Sequence, residues 1–182
     1  MVIWCALPTS DWDNMAPICK EIHRLQPGIV MDLGVGAGKY GVLAREVLDG
    51  IWGRLQPQQW THKICGVEAH GPYRNPAWGA YDWVKVSDFT EESITDWDLV
   101  LMIDSLEHLG PEHGKAFLGG LIAHNKHVVV SVPNGPMPCD EPVYGNHYER
   151  HLTTYYGHEF DAYEYTVLHR GLCLIVSIKG KG

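Results

Sequence analysis

The sequence is short of cations, has no paired cysteines and contains no long apolar run, and each shortage excludes a class of protein. Lys and Arg total 14 against 22 Asp and Glu, for a formal net charge of -8. That balance repels a phosphate backbone at long range and disfavours non-specific nucleic-acid binding. No run of Lys and Arg of the kind that forms a nucleic-acid arm interrupts it. The five cysteines, Cys5, Cys19, Cys65, Cys139 and Cys173, are far apart, odd in number and form no C-x-x-C pair. A disulfide scaffold or a closed zinc site is therefore not expected, whereas a reducing cytoplasm is. No apolar stretch approaches the ~18 residues that suggest a membrane span. The opening MVIWCALPTSDWDN lacks the basic and apolar regions of a secretory signal. Repeats and low-complexity segments are missing too.

What is present reads as one globular α/β domain over residues 1–182, 45% hydrophobic and 20% charged. Asp11, Asp13 and Asn14 are cap-like, and Ile18, Ile22 and Leu25 then share a face, which predicts an N-terminal helix over 11–26. Short apolar runs at 29–33, 63–67, 83–86, 98–103 and 127–132 read as strands. Helical spacing follows the first run (Tyr40, Leu43, Ala44, Val47, Leu48, Ile51) and the fourth (Phe117, Leu118, Leu121, Ile122). Near-continuous apolar strands separated by helices predict a parallel sheet covered on both faces. Two last runs, 163–168 and 172–178, flank His169-Arg170-Gly171 and predict an antiparallel hairpin at the sheet edge. The expected fold is a Rossmann-like doubly wound sheet of seven strands, mostly parallel, ending in that hairpin. Two stretches depart from a minimal domain: an insertion at 50–62, and 70–76, which lacks a helical pattern.

The segment that points to a ligand is Asp32-Leu33-Gly34-Val35-Gly36-Ala37-Gly38. Glycines between a strand and a helix let a ligand approach the backbone, and the helix start offers free N–H groups. In doubly wound sheets ligands bind beyond the carboxyl ends of the strands. The dinucleotide fingerprint G-x-G-x-x-G needs glycine at position 39, where this chain has Lys39. Asp32, two residues before the first glycine, disfavours a nearby pyrophosphate and suits an ammonium or sulfonium group. Glu68, ending the second strand, can accept from both hydroxyls of a ribose, a device that NAD enzymes share.

The run Val30 to Gly38 resembles the first motif of the class I S-adenosylmethionine-dependent methyltransferases. Val67-Glu68 resembles their second motif and Ser87-Asp88-Phe89 their third. Asp98 to Leu109, with its Leu106-Glu107-His108 ending, is similar to the fourth. The likeness spans roughly residues 29–133, in order and at the ends of expected strands. It implies that S-adenosylmethionine is the cofactor and S-adenosylhomocysteine (SAH) the product. By position, Gly34, Gly36 and Gly38 would wrap the methionine part and Asp32 would act near its amino group. Glu68 would hold the ribose, Asp88 and Phe89 would flank the adenine, and Asp104 and Ser105 would line the floor beside the methyl. Two alternatives remain: an NAD(P)-binding oxidoreductase of similar topology, and a non-catalytic sensor or partner domain that keeps the pocket.

Methyl transfer is an in-line displacement, and a general base is needed only if the acceptor must lose a proton. The candidates are Glu107, His108, His147, Glu149, His151, Tyr144 and Tyr148, of which His108, Tyr148 and His151 are assigned. Residues 134–158 form a candidate lid over the acceptor, rich in polar and aromatic groups between Tyr144 and His151 and equally readable as a pinned surface loop. His147, His151, Asp140 and Glu141 could hold a metal, as in catechol-type enzymes of the superfamily. Pro142 and Gly145 oppose the helix that H-x-x-x-H would use, and no metal is assigned. The expected acceptor is a small molecule or a small modified group, and Trp78, Trp83 and Trp97 read as packing, not as a nucleic-acid platform.

Overall fold

The computed structural model describes residues 9–182. Cys5 and the first eight residues of the opening stretch lie outside them. Seven strands run as β1 (Ile29–Leu33), β2 (Lys63–Glu68), β3 (Trp83–Val86), β4 (Leu99–Ile103), β5 (His127–Pro133), β6 (Tyr165–Arg170) and β7 (Cys173–Lys179). They form one sheet in the order β3-β2-β1-β4-β5-β7-β6. The first five are mutually parallel, while β7 pairs antiparallel with both β5 and β6. The order reverses between β1 and β4, so a crevice opens at their carboxyl ends.

The central strands are apolar throughout because both faces are covered. All five residues of β4 are buried. Its Leu99, Leu101 and Ile103 join one core, and Val100 and Met102 the other. The first core is closed by α1 (Met15–Leu25), through Ile18 and Ile22, and by α2 (Lys39–Leu48), through Tyr40, Ala44 and Leu48. The second is closed by α3 (Pro111–His124), through Leu118, Leu121 and Ile122, and by Tyr155 and Phe160 from the chain after β5.

The N-terminal helix is shorter than its expected 11–26 span. Asp11 caps a 3₁₀ turn at Trp12–Asn14, α1 follows, and Gln26 ends it in the left-handed region at φ 44°. The hairpin strands also start later than expected, because the Tyr163 N–H turns back to Phe160 O at 2.9 Å. The crossovers from β2 to β3 and from β3 to β4 contain only 3₁₀ turns. The 50–62 insertion is tied down from beneath. Asp49, fully buried, accepts from Arg45 (2.6 Å), Arg54 (2.7 Å) and the Thr61 N–H (3.1 Å), and Arg45 stacks on Trp60. Burial alone would raise the Asp49 carboxyl, but the Thr61, Arg54, His62 and Arg45 bonds outweigh it and hold it well below the usual range. Among the described residues, no helix is long and apolar enough to cross a membrane.

Candidate active site

The glycine loop leaves β1 with its backbone held on every side. Gly34 N–H and Val35 N–H both donate to Val67 O, at 2.9 and 3.3 Å. Gly36 N–H donates to Glu68 Oε2 at 2.7 Å, and Gly36 O accepts from Trp78 Nε1 at 2.9 Å. Asn75 Nδ2 donates to Ala37 O at 3.1 Å. The non-helical stretch after β2 thus works as a clamp on the loop. Two glycines are required by space as well as by φ. At Gly34 (φ 83°) a Cβ would sit 3.0 Å from the Ser105 Cβ, and at Gly38 (φ 87°) it would press on Trp78 and Ala77.

Around this loop, at the carboxyl ends of the strands, lies a cavity of about 380 Å³, within the range of small-molecule and cofactor sites. Its wall includes Gly34, Gly36, Glu68, Asp88, Phe89, Asp104 and Ser105, together with His108, Tyr148 and His151. Sequence-predicted residues from the loop, from the ends of β2, β3 and β4, and from the segment after β5 therefore converge. Asp88 accepts from Thr90 N–H (2.9 Å) and Thr90 Oγ1 (2.7 Å), which sets the turn that presents Phe89, itself packed on Phe117. Ser105 Oγ donates to Leu33 O at 3.0 Å. Asp104, at φ 49°, accepts from Ser131 Oγ and from Asn14 Nδ2 (3.2 Å).

Two residues assigned to the cofactor are not in the wall. Gly38 is turned toward Trp78 and caps α2 in the left-handed conformation. Asp32, 2% exposed, lies beneath the loop and accepts from Tyr81 Oη at 2.6 Å; that same hydroxyl accepts the Gly41 N–H at 2.8 Å. Burial pushes the Asp32 carboxyl up to about 7, against the Tyr81 hydrogen bond and helped by the nearby Glu68.

The wall also holds Ser10 and Asp11, Lys39, Tyr40, Asn146 and Cys173, which the sequence motifs do not assign to the cofactor or the acceptor, and Glu107 and Glu149 from among the base candidates. Lys39 Nζ donates to Ser10 O at 2.5 Å, so the segment before α1 closes one end of the cavity. Asn146, buried, and Tyr73 both donate to Glu149 Oε1, at 3.3 and 2.8 Å, and join the long loop to the clamp. The wall carries six carboxyl groups (Asp11, Glu68, Asp88, Asp104, Glu107, Glu149) and one ammonium, Lys39. Burial raises the carboxyls of Glu68, Asp104, Glu107 and Glu149 and lowers the Lys39 ammonium. His108 and His151 are held below their ordinary value, first by burial. Opposing this are the Arg150 and Asp104 carbonyls at His108, and the Met137 carbonyl at His151.

Of the other base candidates, Tyr144 and His147 are exposed and outside the wall. Of the four residues weighed for a metal, Asp140, Glu141 and His147 stay exposed on the loop, and His151 alone reaches the cavity.

No protein-family model matches the chain, and no curated protein does. Solved structures do. What they share with this chain is its fold. The N-terminal domain of EvdMO1, solved with SAH bound, matches at TM-score 0.63 and 15% identity, over 92% of this chain and 81% of that one. The methyltransferase domain of a bacterial CtHen1 matches at 0.62 and 16%, over 91% and 97%. Magnesium protoporphyrin IX methyltransferase (ChlM) from Synechocystis PCC 6803, with bound SAM, matches at 0.63 and 10%, over 93% and 79%. At these identities the likeness is one of fold.

Proposed function

We propose that this chain binds S-adenosylmethionine and transfers its methyl group to a small molecule or a small modified group. The observation that carries the proposal is the charge of the cavity wall: six carboxyl groups against one ammonium, around a glycine loop at the switch point of the sheet. A ligand with an ammonium and a sulfonium meets that wall favourably. The pyrophosphate of a dinucleotide meets carboxylates whose desolvation already disfavours negative charge. The solved structures of this fold that carry SAM or SAH support the same cofactor.

In this reading Glu68 receives the ribose hydroxyls on the lone pairs left by Gly36 and His70. Asp88 and Phe89 flank the adenine, and Gly34 and Gly36 admit the methionine part. Asp104 and Ser105 form the floor, and His108, Tyr148 and His151 face the acceptor. Asp32 acts from below, through Tyr81, on the start of α2. Transfer itself needs alignment and exclusion of water more than covalent chemistry. The segment 134–158 acts as the lid, contributing Met137, Asn146, Tyr148, Glu149 and His151 to the wall.

Calorimetry tests the cofactor. SAH should bind with micromolar affinity and NADH should give no heat. Affinity for NADH without a response to SAH or S-adenosylmethionine would replace this reading with the oxidoreductase one.

A further inference from the structure

Glu107 and His108 sit in the 3₁₀ turn Leu106–His108 directly after β4, and His151 comes from the long segment after β5. One donor atom from each lies within 4.8 Å of the other two. Their approach is built into the backbone: Leu152 N–H and Thr153 N–H donate to Glu107 O at 2.8 and 3.1 Å, and the two imidazole rings meet edge to face at 5.1 Å.

The tautomers follow from geometry. His108 Nδ1 is 3.0 Å from Arg150 O, and His151 Nδ1 is 2.6 Å from Met137 O. A carbonyl only accepts, so each Nδ1 carries the proton and each Nε2 keeps its lone pair. A backbone carbonyl on the far nitrogen is the usual support of a metal-ligating histidine. The second observation is Glu107 itself. It is 2% exposed, and its Oε2 is buried without a hydrogen-bond partner. A carboxylate oxygen left bare in the interior is unfavourable unless something cationic meets it.

We propose that Glu107, His108 and His151 hold one divalent first-row transition-metal ion. Two imidazole nitrogens and one carboxylate oxygen suit such an ion and leave several coordination positions open. Ligand bonds of about 2.1 Å need donors roughly 3 to 3.5 Å apart, so small side-chain rotations complete the set. All three ligands line the cavity that also includes Asp104 and Ser105. If the methyl-transfer reading holds, the acceptor is then a hydroxyl compound. Its oxygen binds the ion, which lowers the pKa of the O–H, and the proton leaves to solvent. The oxygen lone pair forms the new O–CH₃ bond as the S–CH₃ bond breaks, its electron pair going to sulfur. The products are a methyl ether and the neutral thioether SAH.

The test uses untagged full-length protein stripped with a chelator. Cobalt(II) is the probe, followed by visible absorption and by calorimetry. The wild type should bind one ion per chain and develop a visible band. His108→Ala and His151→Ala should each weaken cobalt by ~100-fold or more, the upper end of what loss of a supporting residue costs a metal site. His147→Ala, on the exposed face of the same loop, should leave cobalt affinity unchanged. Glu107→Leu should remove cobalt binding while raising the thermal midpoint of the metal-free protein, since it deletes the bare carboxylate, so lost binding there is not lost folding. SAH binding retained by these variants reports an intact cofactor site. A wild type that takes up no cobalt, or cobalt binding undiminished in both histidine variants, overturns the proposal. Cobalt binding in a protein that ignores SAH would leave the metal site standing and sink the methyl-transfer reading.

Discussion

Asp32→Asn separates a carboxylate that serves the ligand as an anion from one that is neutral inside the fold. Asp32 lies outside the cavity wall, receives the Tyr81 hydroxyl at 2.6 Å and titrates at about 7 in the folded chain, up from 3.8, because burial disfavours its charge. The folded chain therefore keeps this proton longer than the unfolded chain does. The stability that comes from the proton is complete below the unfolded value and is lost as pH rises through the folded one. Each tenfold gain in proton affinity on folding corresponds to ~1.36 kcal/mol, so the loss between about pH 5 and pH 8 is on the order of 2–3 kcal/mol. Asparagine has the same shape, cannot ionise, and still offers an oxygen to Tyr81. Urea melts of wild type and variant across that range should diverge by this amount, the variant gaining as pH rises. SAH affinity near neutral pH should change by no more than a few-fold. Parallel stability curves, with SAH binding weakened tenfold or more, would show that Asp32 is an anion in the native chain and acts on the ligand.

Gly36→Val should fold and lose SAH binding in calorimetry, because position 36 sits at φ 51° and its N–H is engaged by Glu68, so a branched side chain strains the loop and fills its mouth. Wild-type affinity in the folded variant would remove the loop from the site. Asp49→Ala should cost about 3 kcal/mol in urea melts, since it removes one of the two carboxylates that meet buried Arg45, leaving Asp82, and also unpairs Arg54, yet leave SAH affinity intact because Asp49 is outside the cavity wall. The Asp49 carboxyl is depressed in the fold, so its stabilisation is present above the unfolded value and fades as pH falls. A loss under ~1 kcal/mol would show that the ion cluster is dispensable.

The parts of the fold legible in the sequence are those fixed by local pattern. Residues 99–103 and 127–132 are almost unbroken apolar runs because two cores consume alternate side chains, and no other environment uses such a run so economically. The glycine loop is legible because positive φ and close packing restrict Gly34 and Gly38 to one residue type. Gly38 also shows the limit of such reasoning: the neighbour that crowds its Cβ position is Trp78, 40 positions on in the chain. The segment 70–80 has no helical period and so looks like a departure from the fold. Its use appears only when Asn75 and Trp78 are seen holding the backbone of the loop.

The acceptor side is less legible for a related reason. His151 meets His108 because two amides beside it, Leu152 and Thr153, dock on the carbonyl of Glu107, a pairing across more than forty residues that leaves no trace in spacing. Grouping His147, His151, Asp140 and Glu141 assumes that ligands close in sequence are close in space. That assumption holds on a helix and fails on this loop, where only His151 turns inward. Glu107 makes the same point from the other direction. Coming after five buried apolar residues and itself buried, it would be an unfavourable position for a charge if nothing met it there. The unpaired oxygen is therefore informative in a way that an exposed acidic cluster is not. A buried polar group costs stability in the absence of its partner, and the proposed ion would supply that partner to the bare oxygen of Glu107 between the two imidazoles.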